Sequence, residues 1–253
     1  MMLEGHYAKK QILCSNQIIA WSHSSRFQTT KKLLEIYVGS NSKLLDYGCG
    51  DGTFLQIVSH LVSEAVGTDI AEGQIYNCQQ RFSGETKIKF SHIKELSSQQ
   101  SVSYFDTAVC MEVLEHCLAE QVEKIIKDLN RLVKPEGIII ISVPIEIGLS
   151  LLIKQITRRI AGYLRQGEYD KSIEPYSLTE LLQMIFATKS SSIKRPVYGD
   201  ESPYHGHKGF NWRLLREELS KTYKIEHTCF SPLGWLGGFF SSQVFLICRN
   251  KKP

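Results

Sequence analysis

Between residues 43 and 143, short apolar runs alternate with stretches whose apolar residues recur at helical spacing. The runs are 43–47 (KLLDY), 64–70 (EAVGTDI), 87–90 (KIKF), 104–113 (YFDTAVCMEV) and 137–143 (GIIIISV). Between them, 53–62 places Phe54, Leu55, Val58, Leu61 and Val62 on one face, 71–82 reads as a polar helix, and the run 87–90 is followed by a soft stretch rich in Ser and Gln. Residues 119–133 repeat the amphipathic pattern through Val122, Ile125, Ile126, Leu129 and Leu132, with Lys134-Pro135-Glu136-Gly137 expected to end that helix. Strands alternating with helices pack as a parallel sheet covered on both faces, and a continuously apolar run such as 137–143 suits its centre.

The pattern changes after Val143. Residues 146–190 read as mainly helical, 190–210 as loop, 210–221 as a helix, and 222–230 and 243–249 as two closing strands. We therefore expect a single domain over 1–253, in four parts. These are a helical segment (1–40), a core (41–145), an insertion between the fifth and sixth strands acting as lid and substrate pocket (146–210), and a C-terminal helix with two antiparallel strands (211–253). A chain of 253 residues can bury such a core. Its net charge of +4 is too mild for a dedicated nucleic-acid binder. Seven scattered cysteines, never spaced as CxxC, argue against a disulfide framework or a zinc cluster and for a cytoplasmic location. No secretory signal is read at the N-terminus, and the longest apolar run is too short to span a bilayer.

The stretch LLDYGCGDGTFL (44–55) puts a glycine turn after the first strand, where a doubly wound sheet binds its ligand. A dinucleotide fingerprint needs a third glycine where Thr53 stands. Asp46 and Asp51 would also repel a pyrophosphate, by about 1 kcal/mol at about 4 Å in water and more when desolvated. The turn suits a cationic, phosphate-free ligand, and Asp69, closing the next strand, is placed to accept hydrogen bonds from ribose hydroxyls. S-adenosyl-L-methionine has these properties.

LLDYGCGDGTFL, AVGTDIA, FDTAVCMEVLEH and LVKPEGIIIISVP, in that order, resemble the motif series of class I S-adenosylmethionine-dependent methyltransferases. The likeness covers about residues 40–145 and is strongest to the small-molecule branch that includes ubiquinone- and menaquinone-biosynthesis enzymes. It implies a Rossmann-like α/β fold with a seven-stranded, mostly parallel sheet, and transfer of a methyl group to an O or N nucleophile of a small molecule. By resemblance, Asp46, Gly48, Cys49 and Gly50 would hold the methionine end, Asp69 the ribose, and Ile70 would lie against adenine. Cys110, Met111 and Glu112 would border the transferred methyl. Where the family often has an acid contacting adenine, this chain reads FSHIKELSS, so His92 or Ile93 would serve there through side chain or backbone.

Other residues keep two readings. His116 is either a base near neutral pH or a hydrogen-bonded structural residue. Glu112 and Glu115 are either site acids or ordinary helix-start and salt-bridging groups. Tyr204, His205 and His207 either face the substrate or lie on open surface; as a metal pair, His205 and His207 lack a third ligand at known spacing, so no metal is expected. The helical stretch 146–165 either packs over the site or presents a basic amphipathic face to a membrane surface. The C-terminal portion resembles methyltransferases acting on saccharides or lipid-linked precursors. RNA or protein as acceptor is disfavoured by the lack of a basic arm and of an Asn-Pro-Pro-Tyr-like tetrapeptide. A non-catalytic role is disfavoured by the intact glycine turn and Asp69.

Overall fold

The computed structural model describes residue 5 and residues 17–98, 102–163 and 175–252. The rest of the expected N-terminal helical segment, and Leu164 and Arg165 of the amphipathic stretch, lie outside the described residues. Helix α1 (Gln17–Tyr37) leads into β1 (Lys43–Tyr47), α2 (Thr53–Val58), β2 (Glu64–Asp69), α3 (Glu72–Arg81) and β3 (Ile88–His92). There follow α4 (Ile93–Ser98), β4 (Phe105–Met111), α5 (Ala119–Leu132) and β5 (Val133–Pro144). Helices α6 (Gly148–Tyr163) and α7 (Leu178–Ile185) precede a small ribbon of β6 (Val197–Tyr198) and β7 (Tyr204–His205). Helix α8 (Trp212–Thr222) and strands β8 (Tyr223–Ser231) and β9 (Gln243–Asn250) complete the described elements.

The main sheet has seven strands in the order β3-β2-β1-β4-β5-β9-β8. The first five are mutually parallel; β9 runs antiparallel to β5, and β8 antiparallel to β9. The period-2 alternation of a strand explains the two-sided core. Leu45, Ile139 and Ile141 pack in one cluster with Ile125 and Leu129 of α5 and Leu219 of α8. Their neighbours Leu44, Ile138 and Ile140 pack in the other with Leu34 of α1, Leu55 of α2 and Ile75 of α3.

Two expectations need correction. The strand after α5 begins at Val133 rather than at Gly137, and Pro135 lies inside it. A bulge makes this possible: between paired positions β4 advances from Phe105 to Thr107 while β5 advances from Val133 to Ile138. Glu136, at φ 61°, sits in that irregularity. The Ser- and Gln-rich stretch after β3 opens with α4, which forms because Leu96 is buried in the core.

Strand β1 is paired on both sides, to β2 and to β4. The chain leaves β1 toward β2 and β3, then returns across it to β4. Strand order thus reverses at β1 and β4, and a crevice forms beyond their carboxyl ends.

Candidate active site

The crevice holds a cavity of about 600 Å³. Its floor is the glycine turn, where Gly48 has φ 86°, Gly50 φ 53° and Gly52 φ 71°. Gly48 has a second constraint, since a Cβ there would lie 2.3 Å from Cγ2 of Val113. The backbone N–H groups of Gly48 and Cys49 both donate to the carbonyl of Thr68, at 2.7 and 3.0 Å, which ties the turn to β2. Cys49 and Gly50 also line the cavity, with Met111 and Glu112 at the end of β4.

Asp46 lies one residue before the end of β1, in the wall of this cavity. Both carboxylate oxygens are buried, and among the described residues neither has a hydrogen-bond partner. Burial first, and then the charge of Asp69, push its pKa up to about 8. A buried carboxylate left this way fits a cationic ligand group, whose charge would reverse both effects.

Asp69 accepts hydrogen bonds from the N–H groups of Gly50 and Ala71, each at 3.0 Å. Ile70 beside it is exposed. His92 accepts at Nδ1 from the Lys94 N–H, at 3.1 Å, so Nε2 carries the proton and donates to the Ile70 carbonyl, at 3.1 Å. His92 thus fixes the backbone beside Ile70, while Ile93 packs partly buried against the core. Cys110 is fully buried in the hydrophobic cluster and is not among the cavity-lining residues.

Arg26 and Phe27 of α1 also line the cavity, a contribution the sequence reading missed. Arg26 pairs with Glu112, Nη1 to Oε2 at 3.2 Å, and Glu112 also accepts from the Ser142 hydroxyl at 3.3 Å. Glu112 has φ 54°, a conformation L-residues rarely adopt. No local signal marks Arg26, because its partner lies far along the chain.

One turn beyond Glu112 is a second group of polar side chains. Glu115 is fully buried, and among the described residues neither of its carboxylate oxygens has a hydrogen-bond partner. Burial and then the nearby Glu112 raise its pKa well above the ordinary carboxylate value. Its Oε1 lies 3.7 Å from Nε2 of His116. His116 places Nδ1 2.9 Å from the His205 carbonyl; a carbonyl only accepts, so Nδ1 carries the proton and Nε2 keeps its lone pair. Burial holds the His116 pKa below 6.5, so the ring is neutral at pH 7. His207 lies against it, with ring centroids 4.9 Å apart.

One ligand atom from each of Glu115, His116 and His207 can be chosen so that all lie within 4.8 Å of one another. One carboxylate and two imidazoles form a donor set suited to a divalent transition metal. The pairing considered from sequence, His205 with His207, is not the one the fold makes. The His205 Nδ1 is hydrogen-bonded to the Pro196 carbonyl at 2.7 Å, and His205 gives His116 only its backbone oxygen. Tyr204 packs at a tilt against Tyr198 in the ribbon, with ring centroids 5.7 Å apart, and is exposed.

Arg195 holds the second group together. Its guanidinium donates to the carbonyls of Glu115 and Gly206, the latter at 2.9 Å, and lies 5.3 Å from the Phe210 ring centroid. It therefore joins the loop bearing His116 to the loop bearing His207. We expect Arg195→Ala to lower kcat by about tenfold or more with S-adenosylmethionine affinity unchanged, and Arg195→Lys to recover part of the loss. Steady-state kinetics beside a calorimetric titration would check this.

Residues 45–141 match the family model described as a methyltransferase domain. The chain is 26% identical over 148 residues to a ubiquinone biosynthesis O-methyltransferase of Rickettsia bellii (strain OSU 85-389). That alignment takes in 57% of this chain and 60% of the relative, so the chain spans about 60% of the relative's length. It is also 35% identical over 219 residues to an uncharacterized protein of Rickettsia prowazekii (strain Madrid E), covering 84% of this chain and 80% of that one. Among solved structures, an S-adenosylmethionine-dependent methyltransferase from Methanosarcina mazei superposes with TM-score 0.54 at 18% identity, covering 86% of this chain and 96% of the other. A protein of Pyrococcus horikoshii OT3 superposes with TM-score 0.61 at 17% identity, covering 98% and 100%. The chain belongs to the class I S-adenosylmethionine-dependent methyltransferases.

S-adenosylmethionine is the cofactor of this family, and the methyltransferase's own residues fit it. Asp46 is a buried carboxyl on the cavity wall, suited to a cationic group, and Gly48 leaves no room for a side chain. Asp69 and Ile70 are not among the lining residues and lie beside the cavity at the end of β2, where Asp69 accepts from the N–H of the lining residue Gly50.

Proposed function

We propose that this methyltransferase transfers a methyl group to a hydroxyl oxygen of a small molecule. Asp46 is the observation that carries this reading, because its buried carboxylate, raised to about 8, needs a cation beside it to ionise at neutral pH. When bound, S-adenosylmethionine supplies an activated methyl group on a positively charged sulfur. In this reading Asp46 holds the ammonium end, Asp69 accepts from the ribose hydroxyls, and Ile70 covers adenine. Phe27, Phe54 and Met111 supply apolar wall to the cavity. Alignment and the exclusion of water give most of the acceleration in such a displacement.

His116 supports a hydroxyl acceptor over an amine. A hydroxyl must lose its proton on methylation, and the His116 Nε2 lone pair, neutral at pH 7, can take it. A neutral amine needs no such base. The named relatives in ubiquinone biosynthesis are O-methyltransferases, which agrees with this choice. A saccharide or lipid-linked precursor is the narrower acceptor class we favour. RNA or protein acceptors, and a purely binding role, are the alternatives.

The buried carboxylate of Glu115 favours a second reading of the same cluster, in which Glu115, His116 and His207 hold a divalent cation. A hydroxyl bound to that cation would ionise more readily, so the acceptor class is unchanged. Transfer of labelled methyl from S-adenosylmethionine, screened over phenols, sugars and amines, tests the proposal. Label in a hydroxyl acceptor supports it, and label confined to amines overturns it. Repeating the assay after chelation and then with added Mn²⁺ separates the two readings: activity lost and restored marks the cation, activity unchanged marks the free base.

A further inference from the structure

A second surface is built from α6, α7 and the turn between β8 and β9, none of which the proposed chemistry uses. On α6 the side chains of Leu149, Ile153 and Ile156 are exposed at spacings of four and three residues, so they share one face. The turn, residues 232–241 (PLGWLGGFFS), carries no charged residue. It exposes Trp235, Phe239 and Phe240 to 82%, 60% and 55%. The Ser150 hydroxyl of α6 lies within hydrogen-bonding distance of the carbonyls of Gly238 and Phe239, 2.9 Å from the latter, which pins the aromatic turn to the helix. Helix α7 packs on α6 and adds exposed Leu178 and Leu182, with exposed Phe186 just past its end.

So many large exposed apolar groups on joined elements mark an interaction surface rather than scattered exposure. The charges say which kind. Helix α6 contains Lys154, Arg158 and Arg159 and no acid; Lys154 is paired with the buried Glu146, Nζ to Oε1 at 3.0 Å, so the net charge of the helix comes from its two arginines. The acid of α7, Glu180, is paired with Lys208 at 3.0 Å. A two-fold dimer through this face would bring the cationic helices of two copies together, which like charge opposes. An exposed tryptophan with phenylalanines, beside a helix with only basic charges, is the composition of a membrane-interface element. Among the described residues no helix is long and apolar enough to cross a membrane, so the contact would be with the surface.

We propose that α6, α7 and the aromatic turn dock this protein on the surface of an anionic lipid bilayer, with Trp235, Phe239 and Phe240 entering the headgroup region. The proposal stands apart from the reading of the active site, and either can fail without the other.

Flotation of the full chain with vesicles tests it. Recovery with mixed phosphatidylcholine–phosphatidylglycerol vesicles should exceed that with phosphatidylcholine alone by about fivefold or more, and should fall as salt is added. Tryptophan emission should shift to shorter wavelength on binding. The Trp235→Ala/Phe239→Ser/Phe240→Ser variant should lose flotation by about tenfold while keeping its circular dichroism and melting temperature. Equal flotation of variant and parent, or none with anionic vesicles, overturns the proposal. So does a Trp235 emission already blue-shifted without lipid, which would mean the chain covers the face itself. A dimer in sedimentation that dissociates in the variant overturns it too, because a second copy would then be the occupant.

Discussion

Turnover on a hydroxyl acceptor should fall by about two to four orders of magnitude when His116 is replaced by alanine, with S-adenosylmethionine affinity kept within about twofold. The size follows from the geometry. The His205 carbonyl fixes the tautomer that leaves the Nε2 lone pair available, and burial keeps the ring unprotonated at pH 7. Loss of the imidazole removes a proton acceptor in the base reading and a ligand in the cation reading, so turnover suffers in both. Cofactor affinity is spared because His116 is not among the residues lining the Asp46 cavity. The sign of the pH dependence follows as well. With its pKa held below 6.5, His116 is active at neutral pH, and kcat should fall only as pH drops through that lowered value. Stopped assays from pH 5 to 9 on parent and variant would check both; equal turnover would make His116 a structural residue.

Asp46→Asn should separate stability from binding. The folded-state pKa of Asp46, about 8, lies above its ordinary value of 3.8, so the native protein holds an extra proton between those limits. A group raised in this way costs stability as pH rises through that window. The variant cannot ionise, and should melt about 3–8 °C higher than the parent at pH 8 in the absence of ligand, with the gap closing toward pH 4. It should also bind S-adenosylmethionine about two orders of magnitude more weakly, because the cationic end would face a neutral amide. Melting curves at pH 4 and pH 8, beside a binding titration, measure both effects. A variant less stable at pH 8 that binds normally would mean Asp46 is an ordinary core residue.

Much of the sheet was legible because its signals are local. Leu44 and Leu45 sit on opposite faces as strand alternation requires, and α5 buries the Ile125–Ile126–Leu129–Leu132 stripe that its spacing announced. The turn from Gly48 to Gly52 was legible for a similar reason: positive φ at three positions leaves a trace in residue type. What escaped was set by partners distant in sequence. Helix α4 forms where composition suggested a soft loop, because Leu96 has a core to enter. Pro135 sits within β5 because a bulge against β4 accommodates it. Arg26 lines the cavity from the N-terminal helical segment, and its pairing with Glu112 has no counterpart in spacing. The grouping of His207 with Glu115 and His116 depends on Arg195 joining two loops. Such contacts come from tertiary packing, which no periodicity encodes.

The most direct test is a calorimetric titration of S-adenosylmethionine into the full chain at pH 7, repeated in two buffers of different ionisation heat. A carboxyl of pKa about 8 is roughly 90% protonated there, so a ligand that pairs with it must drive the proton off. The expected result is a single site, release of about one proton per molecule bound, and loss of that release in Asp46→Asn. Absence of binding, or binding with no proton released and unaltered in Asp46→Asn, would contradict the assignment of this cavity to the cationic end of the donor.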